Sequence, residues 1–409
     1  MSGLIPVAEA LSRILASVRT PVEPESVPLA RAAGRVLAAP VASTRTQPPF
    51  PASAMDGYAV RAADAGTVGA SLRLTATSAA GHGFAGTLQP GEAVRIFTGA
   101  PVPEGADAIL IQEDADAEGK TVRVREAVQP GRFIRREGLD FAAGETLLAE
   151  GMVLDARRLA LAAAAGHPQV PVRRRPRVAI LATGDELVEP GATPAWDQIV
   201  ASNSLALAAL AEEAGAETID LGIAADDHAA LETAFRRARE AKADLLITLG
   251  GASVGDHDLV QAALAREGLE LGFWKVALRP GKPLMHGRLG DMLVIGLPGN
   301  PVSSIVCGLL FVVPAIRALL GDPQAGADRS EPATLGRDLP ANDGRADFMR
   351  ASLTIEPGRL PVATAENRQD SSMLAVLGRS EALLIREPHA PPAQAGDPCR
   401  IIRLDRRLV

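Results

Sequence analysis

Cysteine is nearly absent from this sequence, and aromatic residues are scarce. The 409 residues include two cysteines, and aromatic side chains make up 3% of the chain. Cys307 and Cys399 form neither a metal-ligand spacing nor a disulfide framework, which suits a reducing compartment. The six histidines form no ligand pattern either, which argues against zinc. We therefore expect a cytoplasmic protein without structural disulfides or zinc.

The sequence also lacks an excess of basic charge. It has 42 basic and 49 acidic residues, for a net charge of -7. Binding to duplex nucleic acid requires a basic face and often stacking rings, so we expect no nucleic-acid partner. A pocket on an acidic protein can still be locally positive, which leaves a small anionic ligand open.

No apolar run is long enough to cross a membrane. The longest, residues 305–316, contains Pro314 and is followed by Arg317, whereas a spanning helix needs about 20 apolar residues. This run predicts a buried helix. The opening segment from Ile5 to Leu15 has helical apolar spacing but lacks the basic start and cleavage site of an export signal. We expect no contact with a membrane.

The chain is long enough for several domains, at roughly 100–200 residues each. Residues 1–45 contain two short helical patterns, which the proline-rich stretch Gln47–Ser53 ends. Short β-rich runs between Gly and Pro turns then continue to about residue 140. We predict an elongated helical N-terminal domain (1–45 with 141–172), an inserted β-rich domain (46–140), an α/β domain (173–324) and a C-terminal β domain (325–409).

Residues 177–320 alternate apolar runs with helical periods, which is typical of a doubly wound α/β domain. The predicted strands include residues 178–183, 218–223 and 245–249. One helix is predicted from Asn203 to Gly215. The next begins at Asp226 or Asp227, and its buried stripe comprises Leu231, Ala234, Phe235 and Ala238.

Two nucleotide-binding motifs fail on their context. Residues 81–86 (GHGFAG) match a dinucleotide fingerprint, but Pro90 and Gly91 prevent the helix that would hold a pyrophosphate. Lys282 follows a glycine as in a Walker A motif, but Pro283 stands where that motif requires Ser or Thr.

A third motif is a genuine alternative. Residues 251–255 (GASVG) match a nucleophile elbow and lie between a predicted strand and a predicted helix. Ser253 is therefore a candidate hydrolase nucleophile. Its partners would have to be residues such as Asp291 and His389, neither of which has a recognisable setting.

Four loops each follow an apolar strand and are rich in glycine or charge. They comprise residues 182–191, 249–258, 278–284 and 296–304. In an open α/β sheet such loops meet at the carboxyl ends of the strands, where ligands bind. Their glycines let backbone amides approach an oxyanion, helix starts add positive potential, and Arg279 and Lys282 supply two cations from a stiff loop. Together the loops predict a site for an anionic ligand.

Carboxylates accompany these loops. A group of acidic residues beside phosphate-binding loops is the ligand set that a hard cation such as Mg²⁺ requires, whereas Asp226 or Asp227 alone would be read as a helix cap. The sequence therefore predicts metal-assisted phosphoryl chemistry. The group comprises Asp185, Glu186, Asp226, Asp227, Asp256 and Asp258.

These motifs resemble those of the molybdenum-cofactor insertase family, which includes the bacterial molybdopterin molybdenumtransferases and the gephyrin E domain. The resemblance covers nearly the whole chain in the expected order. It rests on SAMDGYAV (53–60), RIFTGAPVPEGADAI (95–109), IRREGLDF (134–141), TGDEL (183–187), GGASVGDHD (250–258), RPGKP (279–283) and GLPGNPVS (296–303).

The resemblance implies an activity and a fold. The family inserts molybdate into the dithiolene of adenylylated molybdopterin, with Mg²⁺-dependent release of AMP. It combines a central α/β domain like that of the single-domain adenylyltransferases with a C-terminal domain similar to a β-barrel. Such an adenylyltransferase and molybdoenzymes are the implied partners.

The resemblance also implies roles for individual residues. Glu186, Asp226 and Asp258 would be catalytic and metal-associated, and Lys275 matches a catalytic lysine of the family. Arg279 stands where a lysine is common, which preserves the positive charge but alters the geometry of the side chain. The implied substrate-binding residues are Thr183, Gly184, Asp185, Gly250, Gly251, Ser253, Gly255, Arg279, Lys282, Pro298, Gly299, Asn300, Pro301, Ser303, Arg350 and Ser371.

A homodimer is implied as well, in which Asp56, Thr98 and Asp140 complete the catalytic site of the partner subunit. From the residues alone, each of the three is an ordinary turn or loop residue. A carrier or scaffold that had lost turnover is the other alternative, and damaged acidic loops would indicate it. No residue distinguishes molybdate from tungstate, and the downstream form of the cofactor stays open.

Overall fold

The computed structural model describes residues 4–250 and 259–404. Residues 4–173 form short helices and strands, which belong to an N-terminal part and to a part inserted into it. In chain order they are α1 (Val7–Ala16), β1 (Pro24–Pro28), β2 (Val41–Ala42), β3 (Ala52–Ser53), β4 (Gly57–Val60), α2 (Ala62–Ala65), β5 (Ser71–Ser78), β6 (Glu92–Ile96), β7 (Ala108–Ile111), β8 (Ala115–Glu118), β9 (Thr121–Val124), β10 (Ile134–Arg135), β11 (Thr146–Leu148), α3 (Ala156–Ala164) and β12 (Gln169–Arg173).

The flanking segments of this region pair with each other. Strand β1 runs antiparallel to β12, and β2 runs antiparallel to β11. The expectation of two helices in residues 1–45 is wrong for the second, because Pro24–Pro28 is a strand followed by a single 3-10 turn. Prolines at both ends of that strand remove helix donors but leave an extended edge intact. The N-terminal region is therefore mixed α and β.

The inserted residues form a six-stranded sheet in the order β7-β4-β6-β5-β9-β8. Strands β4 and β6 are antiparallel, with Gly57 opposite Ile96. This register brings Asp56, just before β4, next to Thr98, just after β6. The prediction of β structure here is confirmed by the strands.

An α/β body follows. Its elements are β13 (Arg177–Thr183), β14 (Leu187–Val188), β15 (Ile199–Val200), α4 (Asn203–Glu213), β16 (Glu217–Ala224), α5 (His228–Glu240), β17 (Leu245–Leu249), α6 (Leu259–Arg266), β18 (Glu270–Lys275), β19 (Leu278–Arg279), β20 (Pro283–Leu289), β21 (Met292–Leu297), α7 (Pro301–Cys307) and, after a π-helical turn at Gly308–Val312, α8 (Val313–Leu319).

The main sheet of this body has the order β16-β13-β17-β21-β20-β18. The first four strands are parallel, and β20 is antiparallel to both of its neighbours. The sheet is therefore mixed rather than purely parallel. Strand β18 points the same way as β21. The carboxyl ends of β13, β17, β18 and β21 therefore still lie along one edge of the sheet.

Apolar residues fill both faces of the sheet. One core contains residues of α4, α7 and α8, and the other contains residues of α5 and α6. Ala10 and Ile14 of α1 are completely buried in the first core. Helix α1 therefore packs on the α/β body, although residues 1–45 as a whole were assigned by sequence to the N-terminal domain.

The C-terminal elements are β22 (Glu331–Leu335), β23 (Ala346–Thr354), β24 (Val362–Ala365), α9 (Leu374–Arg379), β25 (Ala382–Arg386) and β26 (Pro398–Arg403). Strand pairing runs β23-β24-β22-β26-β25 and returns to β23, which closes a five-stranded barrel. The prediction of a barrel-like domain is confirmed. Strand β19 pairs in parallel with β23, so the barrel is hydrogen-bonded to the α/β body.

The helical stretch Pro301–Leu319 is long and apolar enough to cross a membrane by length and composition alone. However, 78% of its most apolar window is buried inside the protein. Burial of this kind is typical of a core helix. The predicted buried helix at residues 305–316 is confirmed.

Candidate functional site

A cleft of about 780 Å³ lies along the edge of the sheet where the parallel strands end. Ligands bind at this edge in open α/β sheets. The structure brings nine of the predicted site residues into its lining: Thr183, Gly184, Glu186, Asp226, Gly250, Pro298, Gly299, Asn300 and Pro301.

The floor of the cleft is formed where β13 and β17 end side by side. Thr183 is buried, and its hydroxyl donates to the Leu249 carbonyl at 3.3 Å. Gly250 has a φ of +95°, and a Cβ there would lie 2.6 Å from the Thr183 carbonyl oxygen. The close approach of the two strand ends therefore requires glycine at this position.

Gly184 also permits a close approach, in this case of the Glu186 side chain to the backbone. Its φ is +142°, and a Cβ would lie 2.4 Å from a carboxylate oxygen of Glu186. The Glu186 side chain thus folds back over the glycine and faces the cleft.

Asp185, Glu186 and Asp226 form the acidic part of the site. Asp185 accepts a hydrogen bond from the Asp226 backbone amide at 3.1 Å. Burial, and then the charges of Asp185 and Glu186, raise the pKa of the Asp226 carboxyl. Asp227 instead caps α5, since its side chain accepts from the Ala230 amide at 2.9 Å.

This part of the chain offers the oxygen donors that a hard cation prefers. Within residues 4–250 and 259–404, no three acidic, histidine or cysteine side chains converge closely enough to hold an ion by themselves. Mg²⁺ commonly takes one or two protein carboxylates and completes its shell with water and substrate phosphate. The like-charged carboxylates that raise the pKa of Asp226 fit such a partial site.

The loop after β21 is held from two sides. The Asn203 side-chain amide donates to the Gly299 carbonyl at 2.7 Å, and the Asn300 side-chain amide donates to the Ser371 hydroxyl at 3.0 Å. The Val302 amide also donates to the Ser371 carbonyl at 3.1 Å. Ser303 lies buried in the first turn of α7. The loop therefore joins the α/β body to the barrel at the cleft.

Arg350 lies behind this joint on β23. It is 1% exposed, and its Nη2 donates to the Asp370 carbonyl at 3.0 Å. Its Nε is buried and has no hydrogen-bond partner. Burial lowers the pKa of the guanidinium. Arg350 is thus a buried cation with an unused donor, next to the segment that carries Ser371.

The cationic loop lies between β18 and β20. Lys275 ends β18, and Lys282 precedes β20. Neither ammonium group makes a hydrogen bond or ion pair with the part of the chain that the structure describes. Arg279 differs, because all three of its guanidinium nitrogens donate to side chains of the C-terminal domain.

Asp56, Thr98 and Asp140 lie elsewhere, in the inserted domain and its margin. Oδ1 of Asp56 accepts from both the Thr98 amide and the Thr98 hydroxyl at 2.7 Å, and these bonds lower the pKa of Asp56. Asp140 and Gly99 line a smaller cleft of about 320 Å³. None of the three predicted residues lines the larger cleft within this chain.

Five predicted site residues, Gly251, Ser253, Gly255, Asp256 and Asp258, lie outside the described residues. Asp291, one of the candidate partners of Ser253 in the hydrolase alternative, can be placed. It precedes β21 and so lies at the opposite edge of the sheet from the cleft. A six-residue strand separates the two edges by roughly 20 Å. His389 lies on a barrel loop, where its amide donates to Asp343.

Several lining residues were missed by the sequence reasoning. Asn203 was read only as a helix cap, but its amide group crosses to the loop after β21. Ile199, Val200 and Leu374 are partly exposed apolar residues at the cleft. Only the tertiary pairing of β14 with β15 brings the first two there, so no local motif marks them.

Comparisons with known proteins agree with this architecture. Residues 5–166 match the MoeA N-terminal region (domain I and II), residues 179–318 a probable molybdopterin binding domain, and residues 332–404 the MoeA C-terminal region (domain IV). The structure is similar to a crystal structure of the molybdopterin biosynthesis MoeA protein from Pyrococcus horikoshii, with a TM-score of 0.84, 29% identity and coverage of 98% of this chain and 99% of the other.

Curated relatives are also similar over most of their length. The molybdopterin molybdenumtransferase of Haemophilus influenzae is 36% identical, covering 96% of this chain and 97% of its own. That of a Nostoc strain is 39% identical, covering 88% and 84%. With three domain matches in order and relatives of this identity, the chain belongs to the molybdopterin molybdenumtransferase family, a family of transferases of molybdenum cofactor biosynthesis.

Proposed function

We propose that this protein inserts molybdate into adenylylated molybdopterin and releases AMP in a Mg²⁺-dependent reaction. The observation that carries the proposal is the cleft itself. One edge of one sheet brings together a glycine-lined floor, an acidic group and the start of α7. An extended, anionic substrate with a diphosphate needs these three features side by side.

The molybdopterin part of the substrate would lie on the floor of the cleft. Thr183, Gly250 and Gly299 line the cleft there without bulky side chains. Asn300 and Pro301 lie at the start of α7, where the positive end of the helix dipole favours an anion. These groups would orient the substrate along the strand ends.

Glu186 and Asp226, with Asp258, would hold Mg²⁺. When bound, the ion would offset negative charge on the phosphoanhydride. The reaction would add water to phosphorus and break one P–O bond, so that AMP leaves and molybdopterin keeps its own phosphate. The acidic side chains would orient the diphosphate and keep its scissile bond close to the floor of the cleft.

Molybdate is a tetrahedral dianion and would be attracted by the cations of residues 275–282 and of β23, of which Lys282 directly precedes the lining residue Pro283. Lys275 and Lys282 carry ammonium groups that make no hydrogen bond or ion pair within the described residues, and Arg350 keeps one unused donor. Ser303, buried in the first turn of α7, and Ser371, which accepts from Asn300, would add hydroxyl groups. Charge complementarity of this kind would hold molybdate near the dithiolene.

The proposal includes a cytoplasmic homodimer in which Asp56, Thr98 and Asp140 act at the partner subunit's cleft. Their separation from the larger cleft within one chain supports this assignment. Partners would include an adenylyltransferase that supplies the substrate and molybdoenzymes that receive the product.

The test is AMP release by the purified full chain given adenylylated molybdopterin and Mg²⁺, with and without molybdate. Product formation is read by reconstituting a molybdenum-free apoenzyme. We expect molybdate-dependent AMP release with active cofactor, and a loss of about a hundredfold in Glu186→Gln. Glu189→Gln, an exposed residue of the same loop, is the matched control. Tight binding of the substrate without AMP release would instead indicate a carrier.

A further inference from the structure

Arg279 has a different environment from the other cations of the site. Its Nε and Nη2 both donate to Oδ2 of Asp347, at 3.0 and 2.6 Å. Nη2 also donates to the side-chain oxygen of Asn342 at 2.9 Å, and Nη1 donates to Asp343 at 3.2 Å. The guanidinium is therefore held by three side chains of the C-terminal domain.

The two closest partners are themselves fixed in place. Asp347 is 7% exposed and lies on β23, directly opposite Arg279 in the parallel pairing with β19. The Asn342 side-chain amide donates to the carbonyls of Arg345, Arg386 and Glu387, which orients its oxygen toward Arg279. The barrel therefore presents a preformed set of acceptors to this one side chain.

Beyond Arg279, the loop has little freedom to move. Gly281 packs against α7 so closely that a Cβ would lie 2.5 Å from Cys307 Sγ. The carbonyl of Lys282 accepts from the Val276 amide at 3.1 Å. Arg279 holds one end of the loop to the barrel, while α7 and β18 hold the other. The position of the Lys282 side chain depends on all three attachments.

The charges argue against direct binding of an anion by Arg279. The Arg279 guanidinium faces two carboxylates, and Asp343 also pairs with Arg345 at 3.0 Å, so Arg279 carries no uncompensated positive charge. Hydrogen bonding to Asp347 raises the pKa of the guanidinium, in keeping with a strong pair. A dianion would have to displace these carboxylates. Lys282, without such partners among the described residues, offers a full positive charge.

We propose that Arg279 is a positioning residue, and that Asp347 of the barrel controls the affinity of the site for its tetrahedral oxyanion by holding Arg279 and thereby placing Lys282. This inference rests on the proposed function, in which the oxyanion is molybdate. It assigns the oxyanion contact to Lys282 and gives the C-terminal domain a direct influence on binding.

Arginine suits this role better than lysine would. Its planar fork reaches the Asp347 carboxylate through two nitrogens and Asn342 and Asp343 through further donors, whereas an ammonium group is a single point charge. The arginine therefore matches the acceptors that Asn342, Asp343 and Asp347 of the barrel provide.

The test measures molybdate binding to the full chain by equilibrium dialysis in the presence of saturating molybdopterin. The variants are Arg279→Gln, Asp347→Asn and the double variant. We expect each single variant to raise the molybdate Kd by about tenfold and the double variant to add little, because both changes break the same contact. The Kd for molybdopterin should stay within about twofold, a separation that general destabilisation would not produce.

Arg345→Gln is the matched control. Arg345 also donates to Asp343, at 3.0 Å, but its side chain has no hydrogen bond or ion pair with residues 275–283 in the described part of the chain. This variant should bind molybdate like the wild type. An equal loss of molybdate affinity in Arg345→Gln would overturn the inference.

Opposite effects of the two single variants would also overturn it. If Arg279 bound the oxyanion directly, Asp347→Asn would free the guanidinium and tighten binding, while Arg279→Gln would weaken it. Failure of the wild type to bind molybdate would count against the proposed function as well. If the wild type does bind molybdate, the effects of the variants test the positioning role of Arg279 alone.

Discussion

The side-chain amide of Asn300 donates a hydrogen bond to the Ser371 hydroxyl at 3.0 Å, across the boundary between the α/β body and the barrel. The Val302 amide donates to the carbonyl of the same serine at 3.1 Å. One serine thus satisfies two donors at the start of α7. The residues that line the cleft are consequently positioned by both parts of the chain.

Asn300→Ala and Ser371→Ala should each lower molybdate-dependent AMP release, by about tenfold, since either change removes the same contact at the cleft. Combining them should cost little more than one alone. The measurement is the initial rate of AMP release at saturating Mg²⁺. Asn367→Ala, an exposed asparagine of the barrel, should retain the wild-type rate. Fully additive losses would show that the two residues act separately.

Lys282→Met should weaken molybdate binding by about a hundredfold, because it removes a positioned cation while keeping the length of the side chain. Lys242→Met is the control, since Lys242 lies near the opposite edge of the sheet, just before β17. Equilibrium dialysis with molybdate measures both. Equal affinity in the two variants would contradict the role given to Lys282.

Gly250→Ala should destabilise the protein and abolish molybdopterin binding. The new methyl group would meet the Thr183 carbonyl at 2.6 Å in a left-handed backbone conformation. Gly290→Ala shares the positive φ, at +66°, but has open space around the new Cβ. We expect about 1–2 kcal/mol of destabilisation for Gly290→Ala from backbone strain, and about 1–3 kcal/mol more for Gly250→Ala from overpacking.

Urea unfolding followed by the fluorescence of Trp274, in the same body, compares the two glycine variants. Binding of molybdopterin is measured on the folded proteins. Similar unfolding curves for both would mean that the strand ends can separate to admit a methyl group.

Thr98→Val should raise the pKa of Asp56 toward its ordinary value, because it removes one of the two donors that stabilise the carboxylate. A lowered pKa in the folded state means that the stabilisation is present above the unfolded pKa and is lost as the pH falls through the folded pKa. The replacement should therefore reduce the loss of stability at acid pH.

Carbon-13 NMR of the Asp56 carboxyl gives the titration midpoint directly. Thr98→Ser, which keeps the hydroxyl, should leave that midpoint unchanged. An identical midpoint in Thr98→Val would show that the backbone amide bond at 2.7 Å is sufficient.

Much of the α/β fold could be predicted because burial there repeats along the chain. Leu231, Ala234, Phe235 and Ala238, read as the apolar stripe of α5, are all buried in one core. The strand ends likewise carry their glycines in the sequence itself. Periodicity and turn chemistry were sufficient for these features.

Other features depend on contacts between distant segments, which no local pattern encodes. Arg279 looked like an anion-binding cation, but its partner Asp347 lies on another domain and meets it only through the pairing of β19 with β23. Asn203 was interpreted only as a helix cap because its hydrogen bond to Gly299 also joins two distant segments. The second N-terminal helix was overpredicted because apolar spacing around Pro24–Pro28 suits a strand equally well.

The packing of α1 on α8 has a consequence for synthesis. Helix α1 ends at Ala16, but α8 begins only at Val313, so the first helix leaves the ribosome long before the surface that buries it exists. Contacts between segments this far apart in the sequence form late, and they reduce the rate of folding. Until then the apolar side of α1, with Ala10 and Ile14, stays accessible to chaperones and proteases. The beginning of the chain is therefore the part whose folding must wait for nearly all the rest.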